Sequence, residues 1–285
     1  MAMLRSNPSV RRIHRRLAVV RRTGRLHPNW IPLAATGRRI YVDRADARGA
    51  EIVRGLGRGH QPALIELWRR AAAVLEPGVV VDVGANYGEM LLNADYGRAR
   101  VVAVEPNPRV AALLRRSVAR HPDRDAIEVH QVLASDIDGG VQALWIDPGW
   151  SGSAGTSLDR SLQDGDRLIE VEVPTRTLDA LTADLPGDRV LLKVDAEGSE
   201  ATILDGASAL LARPGPLVAI VEFDPAHLRR SGSDAAALHA RLQARGTCWR
   251  IERDGSATES RSVPVDATDL LVVDDAALAE RLLTP

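Results

Sequence analysis

The sequence predicts an α/β fold in which a mostly parallel sheet, antiparallel at its C-terminal edge, follows an N-terminal helical extension. Three observations carry this. Val79 to Val83 reads VVVDV, apolar enough for a strand buried on both faces, and runs into a glycine turn, Gly84-Ala85-Asn86-Tyr87-Gly88. Strand and helix patterns then alternate as βαβαβ as far as Ala134, which implies parallel strands joined by right-handed crossovers. The last two strand patterns, Cys248 to Arg253 and Asp269 to Val273, have no helix between them and read as an antiparallel edge pair.

Residues 1–34 read as an arginine-rich helix and a loop around His27-Pro28-Asn29-Trp30. Arg39 to Val42 is a short strand and Ala50 to Leu56 a short helix. From Gln61, the segment PALIELWRRAAAVL puts Leu64, Leu67, Trp68, Ala71 and Leu75 on one helical face, and Glu76-Pro77-Gly78 ends it. After the glycine turn, Leu91 and Leu92 open a helix to about Tyr96. A strand over Arg100 to Glu105 follows, then a helix from Pro106-Asn107-Pro108 to about Arg120, then a third strand over Ile127 to Ala134.

Between 139 and 175 the pattern changes. A strand over Gly139 to Asp147, a Gly/Ser-rich loop over Gly149 to Ser157 and an alternating strand over Leu168 to Val173 form an insertion suited to a lid or substrate wall. Helices over Thr177 to Leu185, Ser199 to Leu211, Asp234 to Ala244 and Ala276 to Leu283, with strands over Val190 to Val194 and Leu217 to Phe223, complete the fold. The expected organisation is a basic extension over 1–59 and a main domain over 60–285.

An apolar fraction of 45% is ample for a core, and 3% aromatic residues make it an aliphatic one. No apolar run approaches the roughly 20 residues that span a bilayer. The start, MAMLRSNPSVRRIHRR, lacks a signal-peptide apolar stretch, so a soluble cytoplasmic protein is expected. Cys248 is the lone cysteine, which excludes an intramolecular disulfide and a cysteine-based zinc site; it reads as a small apolar strand residue. The net charge of −1 hides an asymmetry. Residues 1–42 hold ten arginines and no acid, whereas the remainder carries 27 basic against 38 acidic side chains, a net of −11. An acidic body argues against a broad nucleic-acid surface. Lys193 is the only lysine among 37 basic residues, and a compact ammonium is not equivalent to a guanidinium where a point charge is needed.

In an open parallel sheet, ligands sit outside the carboxyl ends of the strands. The first strand ends at Asp82 and the glycine turn, and the second at Glu105, 21 residues after Gly84. The third ends at Ser135-Asp136, the next at Lys193-Val194-Asp195-Ala196-Glu197, and the fifth at Glu222. Glu105 fits a carboxylate accepting both hydroxyl hydrogens of an adenosine ribose. Ser135 or Asp136 is placed to reach an adenine amino group, with turn formation beside Gly139 the competing role. A nicotinamide dinucleotide requires glycines at the first, third and sixth positions. Counted from Gly84 these are Gly84, Asn86 and Glu89, and a diphosphate would sit poorly among carboxylates. S-adenosylmethionine has no phosphate and carries a positive sulfonium, which Asp82, Asp195 and Glu197 would attract and Tyr87 would face. Its methionyl carboxylate would meet N–H groups of the turn. The expected cofactor is therefore S-adenosylmethionine, contacted by Asp82, Gly84, Ala85, Asn86, Tyr87, Gly88, Glu105, Pro106, Ser135, Asp136 and Asp195.

In extended backbone Lys193, Asp195 and Glu197 point to the same side. One carboxylate would accept a proton from a substrate hydroxyl, with Lys193 keeping it ionised or stabilising the developing oxyanion. A buried ion pair that only positions the turn would use the same residues. His227 is a rival base, in a segment read as an exposed loop. The two carboxylates with Glu222 would also suit a divalent cation and a catechol-type substrate, but their spacing does not require one and no metal ligand is assigned.

Val81-Asp82-Val83-Gly84-Ala85-Asn86-Tyr87-Gly88, Val104-Glu105-Pro106-Asn107, Ala134-Ser135-Asp136, Thr177-Leu178-Asp179 and Lys193-Val194-Asp195-Ala196-Glu197-Gly198-Ser199-Glu200 together resemble the FkbM family of S-adenosylmethionine-dependent methyltransferases. The resemblance covers roughly residues 60 to 225. It implies a class I methyltransferase-like (Rossmann-like) fold with a seven-stranded sheet and an antiparallel final strand, the methyltransferase domain occupying 60–285. It also implies O-methylation of hydroxyls on polyketides, sugars or similar small molecules of secondary metabolism. By position Asp82 to Gly88 and Glu105 would bind the cofactor, Asp195 would lie near the methyl group and Glu197 on the substrate side. Tyr87 stands where the family often has Ile or Leu, and Ala196 where it has Val; the basic first 42 residues match nothing in it. A non-catalytic S-adenosylmethionine-binding protein, and an RNA or protein methyltransferase docking through the basic arm, are the alternatives. Homo-oligomer formation is left open.

Overall fold

The structure is a computed structural model and describes residues 8–155 and 168–284. Its N-terminal part comprises α1 (Pro8–Thr23), β1 (Trp30–Pro32), β2 (Arg39–Tyr41), α2 (Ala47–Arg54) and α3 (Pro62–Leu75). Then come β3 (Val79–Val83), β4 (Arg100–Val104), α4 (Pro108–Val118), β5 (Ile127–His130) and β6 (Leu133–Ala134). The insertion holds β7 (Val141–Asp147), β8 (Trp150–Gly155) and β9 (Ile169–Arg176). The second half runs α5 (Leu178–Thr182), β10 (Val190–Val194), α6 (Glu200–Asp205), α7 (Ser208–Leu211), β11 (Leu217–Phe223) and α8 (Pro225–Arg230). It closes with α9 (Ala235–Arg245), β12 (Thr247–Ile251), β13 (Ala257–Glu259), β14 (Thr268–Val273) and α10 (Ala276–Leu283).

The main sheet has eight strands in the order β13-β12-β14-β11-β10-β3-β4-β5. The strands from β11 to β5 are parallel, while β14 runs antiparallel to β11 and β12 antiparallel to β14. The expected antiparallel edge is present, one strand wider than the family resemblance implies because the short β13 pairs with β12. Chain order reverses between β3 and β10, and at such a switch point a crevice opens beyond the strand ends. Both strands are buried along their whole length. Their alternation sends Val79, Val81, Leu192 and Val194 into one core layer and Val80 and Leu191 into the other. Asp82 and Lys193 share that second face and sit opposite each other in the ladder. Cys248 is buried in β12, as a small apolar strand residue should be. No helix among the described residues is long and apolar enough to cross a membrane.

Four local expectations are corrected. First, the glycine turn does not lead into a helix to Tyr96; only a single 3₁₀ turn, Leu91–Asn93, forms there. Asn86 (φ 48°) and Gly88 (φ 90°) are left-handed, and the Glu89 carbonyl is taken at 2.7 Å by the Asn93 side-chain Nδ2 while Asn93 N donates to the Met90 carbonyl. Second, Trp150 to Gly155, expected in a loop, is strand β8, paired with β7 in a four-stranded sheet β6-β9-β7-β8; the Thr156-Ser157 end of that loop lies outside the described residues. Third, the helix expected over Ser199 to Leu211 is split at Gly206, where a Cβ would lie 2.1 Å from the Ser135 carbonyl oxygen. Fourth, His227 is on helix α8, not in an exposed loop.

Apolar residues of the N-terminal segment pack into the main core. Ile31, Leu33, Ile40, Val42, Ile52 and Val53 share one core with Trp68, Val80 and Leu191. Asp46 ties this segment down. It is fully buried, and its carboxylate accepts from Ser151 N (2.8 Å), Ser151 Oγ (2.7 Å), Tyr87 Oη (2.6 Å), Arg48 N and Gly49 N. One side chain therefore joins α2, the glycine turn and the insertion.

Burial raises the Asp46 pKa, but the Tyr87 and Ser151 bonds outweigh it, so the carboxyl titrates below its ordinary value. Its stabilisation is accordingly present above the ordinary carboxylate range and lost as pH falls through the depressed folded value. Asp46→Ala is expected to lower stability in urea unfolding at pH 7 by about 3 kcal/mol, since charge-assisted bonds vanish and buried donors lose their acceptor. The gap between wild type and variant should shrink in acid.

Candidate active site

A cavity of about 280 Å³ opens beyond the carboxyl ends of β3, β4, β10 and β11. Its floor is built at the switch point. Gly84 has φ 72°, and a Cβ there would lie 1.8 Å from the Asp195 carbonyl oxygen. The two strand ends thus meet backbone to backbone, which only glycine permits. Asp195 N donates to the Val83 carbonyl, and beyond it Ala196 to Ser199 turn sharply, with Glu197 left-handed at φ 52°. Glu200 Oε1 fixes that turn by accepting from Ala196 N (3.0 Å) and Gly198 N (3.1 Å). The extended alternation expected to align Lys193, Asp195 and Glu197 therefore ends at Val194. All three still line the cavity, Glu197 because of the turn.

The electrostatics centre on Lys193. Its Nζ lies 2.7 Å from Asp195 Oδ2. Burial alone would depress its pKa, but Asp195 and Asp82 hold it above the ordinary lysine value. Asp82 is buried and neither of its oxygens finds a hydrogen bond. Desolvation lifts its pKa to about 6 even with Lys193 alongside. Glu105 accepts from Asn86 N (2.8 Å) and Asn107 N (2.9 Å), yet burial pushes it to about 7. Glu222, on β11, is driven to about 10 by burial and by the nearby Asp195, Glu197 and Glu200 carboxylates. Asp269, its neighbour across the β11–β14 ladder, rises to about 6, again chiefly by burial. Glu197 faces His227 Nδ1 at 2.9 Å, which raises the imidazole pKa.

Of the residues singled out in the sequence, Asp82, Gly84, Ala85, Asn86, Glu105, Pro106, Lys193, Asp195 and Glu197 converge on the cavity. Tyr87, Gly88, Ser135 and Asp136 are not among its lining residues. The Tyr87 ring, expected to face a sulfonium, is buried and donates to Asp46. Gly88 packs against Leu114 of α4. Ser135 Oγ donates to Asp136 at 3.0 Å, and Leu133 and Ala134 take their place on the wall.

The glycine turn is also not free to bind an anion. Gly84 N and Ala85 N donate to the Val104 carbonyl, Asn86 N to Glu105, Tyr87 N to Asn86 Oδ1 and Gly88 N to the Ala85 carbonyl. These N–H groups, expected to meet a methionyl carboxylate, each have a partner within the protein. Residues missed in the sequence supply the rest of the wall. Arg48, paired with Glu89, and His60 and Gln61 come from the N-terminal segment, and Trp150 and Ser151 from the insertion. Glu89, at the place of a dinucleotide glycine, was a weak pointer to Arg48; for the others no local signal exists.

The cavity suits a small cationic ligand. The unpartnered, buried Asp82 carboxylate and its acidic neighbours face it with one ammonium among them, which fits a sulfonium and opposes a phosphate. A family model described as the methyltransferase FkbM domain matches residues 82–247. No curated protein matches the chain. Among solved structures it is similar to aTrm5 in complex with tRNALeu, at 14% identity and a TM-score of 0.42, covering 87% of this chain but 53% of that one, so this chain spans about half its length. It is similar to an O-methyltransferase from Bacillus cereus in complex with SAH, at 14% identity and a TM-score of 0.44 over 80% of this chain and 91% of that one. A third is TomG from Streptomyces achromogenes, an O-methyltransferase involved in tomaymycin synthesis, in complex with SAM; identity is 14% and the TM-score 0.42, over 81% and 88% of the two chains.

Gly84→Ala tests the floor of the cavity. A side chain there meets both a left-handed backbone and the Asp195 carbonyl, so denaturant unfolding should register a loss of about 2 kcal/mol or more.

Proposed function

We propose that this chain, which belongs to the FkbM-domain methyltransferases, is an O-methyltransferase acting on the hydroxyl of a small molecule such as a polyketide or sugar. Its fold is the Rossmann-like class I methyltransferase fold and S-adenosylmethionine is its cofactor. The observation that carries the acceptor chemistry is the meeting of Lys193, Asp195 and Glu197 on one cavity wall, where the Gly84 turn touches Asp195.

When bound, S-adenosylmethionine supplies a methyl group on a positively charged sulfur. Glu105 is assigned to the ribose. Each of its oxygens takes one backbone N–H, so each keeps a lone pair for a ribose hydroxyl. Asp82 balances positive charge at the switch point. Asp195 accepts the proton of the acceptor hydroxyl as its oxygen becomes nucleophilic, and Lys193 holds the carboxylate in place through its other edge. Glu197 lines the acceptor side. The chain contributes positioning and proton acceptance.

Calorimetry with S-adenosylmethionine tests the cofactor side. Glu105→Ala should weaken binding about 100-fold, the scale of losing two hydrogen bonds to a charged acceptor. Because Glu105 titrates near 7 and only its ionised form accepts both hydroxyls, wild-type affinity should fall as pH drops below 7. Glu105→Gln should flatten that dependence. Wild-type protein that binds neither the cofactor nor its demethylated product refutes the reading.

Asp195→Asn tests the chemistry. Turnover should fall by about 100-fold or more, a larger loss than that of cofactor affinity measured in parallel. A variant with undiminished activity would leave only the cofactor-binding role.

A further inference from the structure

We propose that Glu197, Glu222 and His227 form a divalent metal site at the acceptor end of the cavity. A carboxylate oxygen of each glutamate and a ring nitrogen of the histidine lie within 4.8 Å of one another, close enough for small side-chain adjustments to bring all three onto one cation. The ligands arise from two adjoining strand ends: Glu197 follows β10, Glu222 is near the end of β11, and His227 is on α8 just beyond.

The state of the individual atoms favours a ligand over a simple ion pair. Glu222 Oε2 and His227 Nδ1 are closed off from solvent and neither makes a hydrogen bond. Nδ1 approaches Glu197 Oε2 at 2.9 Å but without the alignment of a hydrogen bond. Buried polar atoms of this kind are normally partnered, and two of them beside a third oxygen share one unmet need that a cation would satisfy. Lys193, whose charge acts on Glu222, is engaged by Asp195.

The surroundings match those of a ligating histidine. The far ring nitrogen of His227 lies 3.7 Å from Asp224 Oδ2, so a carboxylate backs the imidazole from behind. Ser231 Oγ donates to the Gly198 carbonyl at 2.6 Å and ties the Glu197 turn to α8, fixing the ligands relative to one another. Two carboxylates and one imidazole suit a hard to borderline ion of the Mn²⁺, Mg²⁺ or Zn²⁺ kind. Three protein ligands leave coordination positions open, and Glu197 and Glu222 both line the cavity. Resting on the O-methyltransferase reading, those positions would hold the acceptor's oxygen, and an acceptor with two adjacent hydroxyls would fill two of them.

Calorimetric titration of the full chain with Mn²⁺, and in parallel with Mg²⁺ and Zn²⁺, tests the site. One ion per chain should bind, and Glu222→Gln and His227→Ala should each weaken it about tenfold or more. No binding of any of the three ions, or an affinity unchanged in both variants, overturns the site. Titrating the same preparations with S-adenosylmethionine keeps the two readings apart. Wild-type protein that binds the cofactor but no metal sinks this proposal alone, whereas failure to bind the cofactor sinks the proposed function. Should Glu222→Gln not fold, His227→Ala, on the half-buried helix α8, reads the same loss.

Discussion

The rest of the site depends on one buried ammonium. Lys193 sits opposite Asp82 in the central ladder, contacts Asp195, and faces the field of Asp269. Its charge offsets those of Asp82, Asp195 and Asp269, gathered at the end of the sheet. Removing Asp195 would leave this buried ammonium without the carboxylate it contacts. A guanidinium would not serve as well: its planar fork needs several acceptors in its plane, whereas the ammonium is a compact point charge between two strands. The one position at which this arginine-rich chain keeps a lysine is where that difference matters.

Charge and backbone geometry work together around it. Gly84 lets β3 and β10 close to carbonyl contact, which brings Asp82 and Asp195 to the same ammonium. The turn after Gly84 spends its N–H donors on Val104, Glu105 and itself, so it presents a rigid rim and no anion hole. The pocket left is rich in carboxyl groups, with Asp82, Glu89, Glu105, Asp195, Glu197 and Glu222 on its walls. A sulfonium gains from such a place and a diphosphate loses, which gives physical content to the choice of cofactor.

The walls come from parts of the chain that the central α/β pattern does not announce. Asp46 binds α2, Tyr87 and Ser151 through one carboxylate, locking the N-terminal segment and the inserted sheet over the cavity. Arg48, His60 and Trp150 are thereby placed on the cavity wall. The FkbM-domain match covers 82–247, so the N-terminal part of this wall lies outside it while the insertion lies within it.

The sequence by itself determined the sheet, the cofactor class and most of the floor. Those features are local: VVVDV, the glycine turn, Glu105 at a strand end and the Lys193-to-Glu200 run each show their role through spacing along one strand and the turn that ends it. Tertiary structure alone decided the direction of Tyr87, the partners of the turn's N–H groups, the split at Gly206 and the pairing of His227 with Glu197. Apart from the short bonds of Tyr87 N and Gly88 N, each of these depends on residues at least 19 positions apart meeting in space, as with Tyr87 and Asp46. Periodicity reports which face of its own strand or helix a side chain occupies. It carries no information about which distant carbonyl or carboxylate waits on that face, and here those distant partners shape the walls and the acceptor end of the cavity.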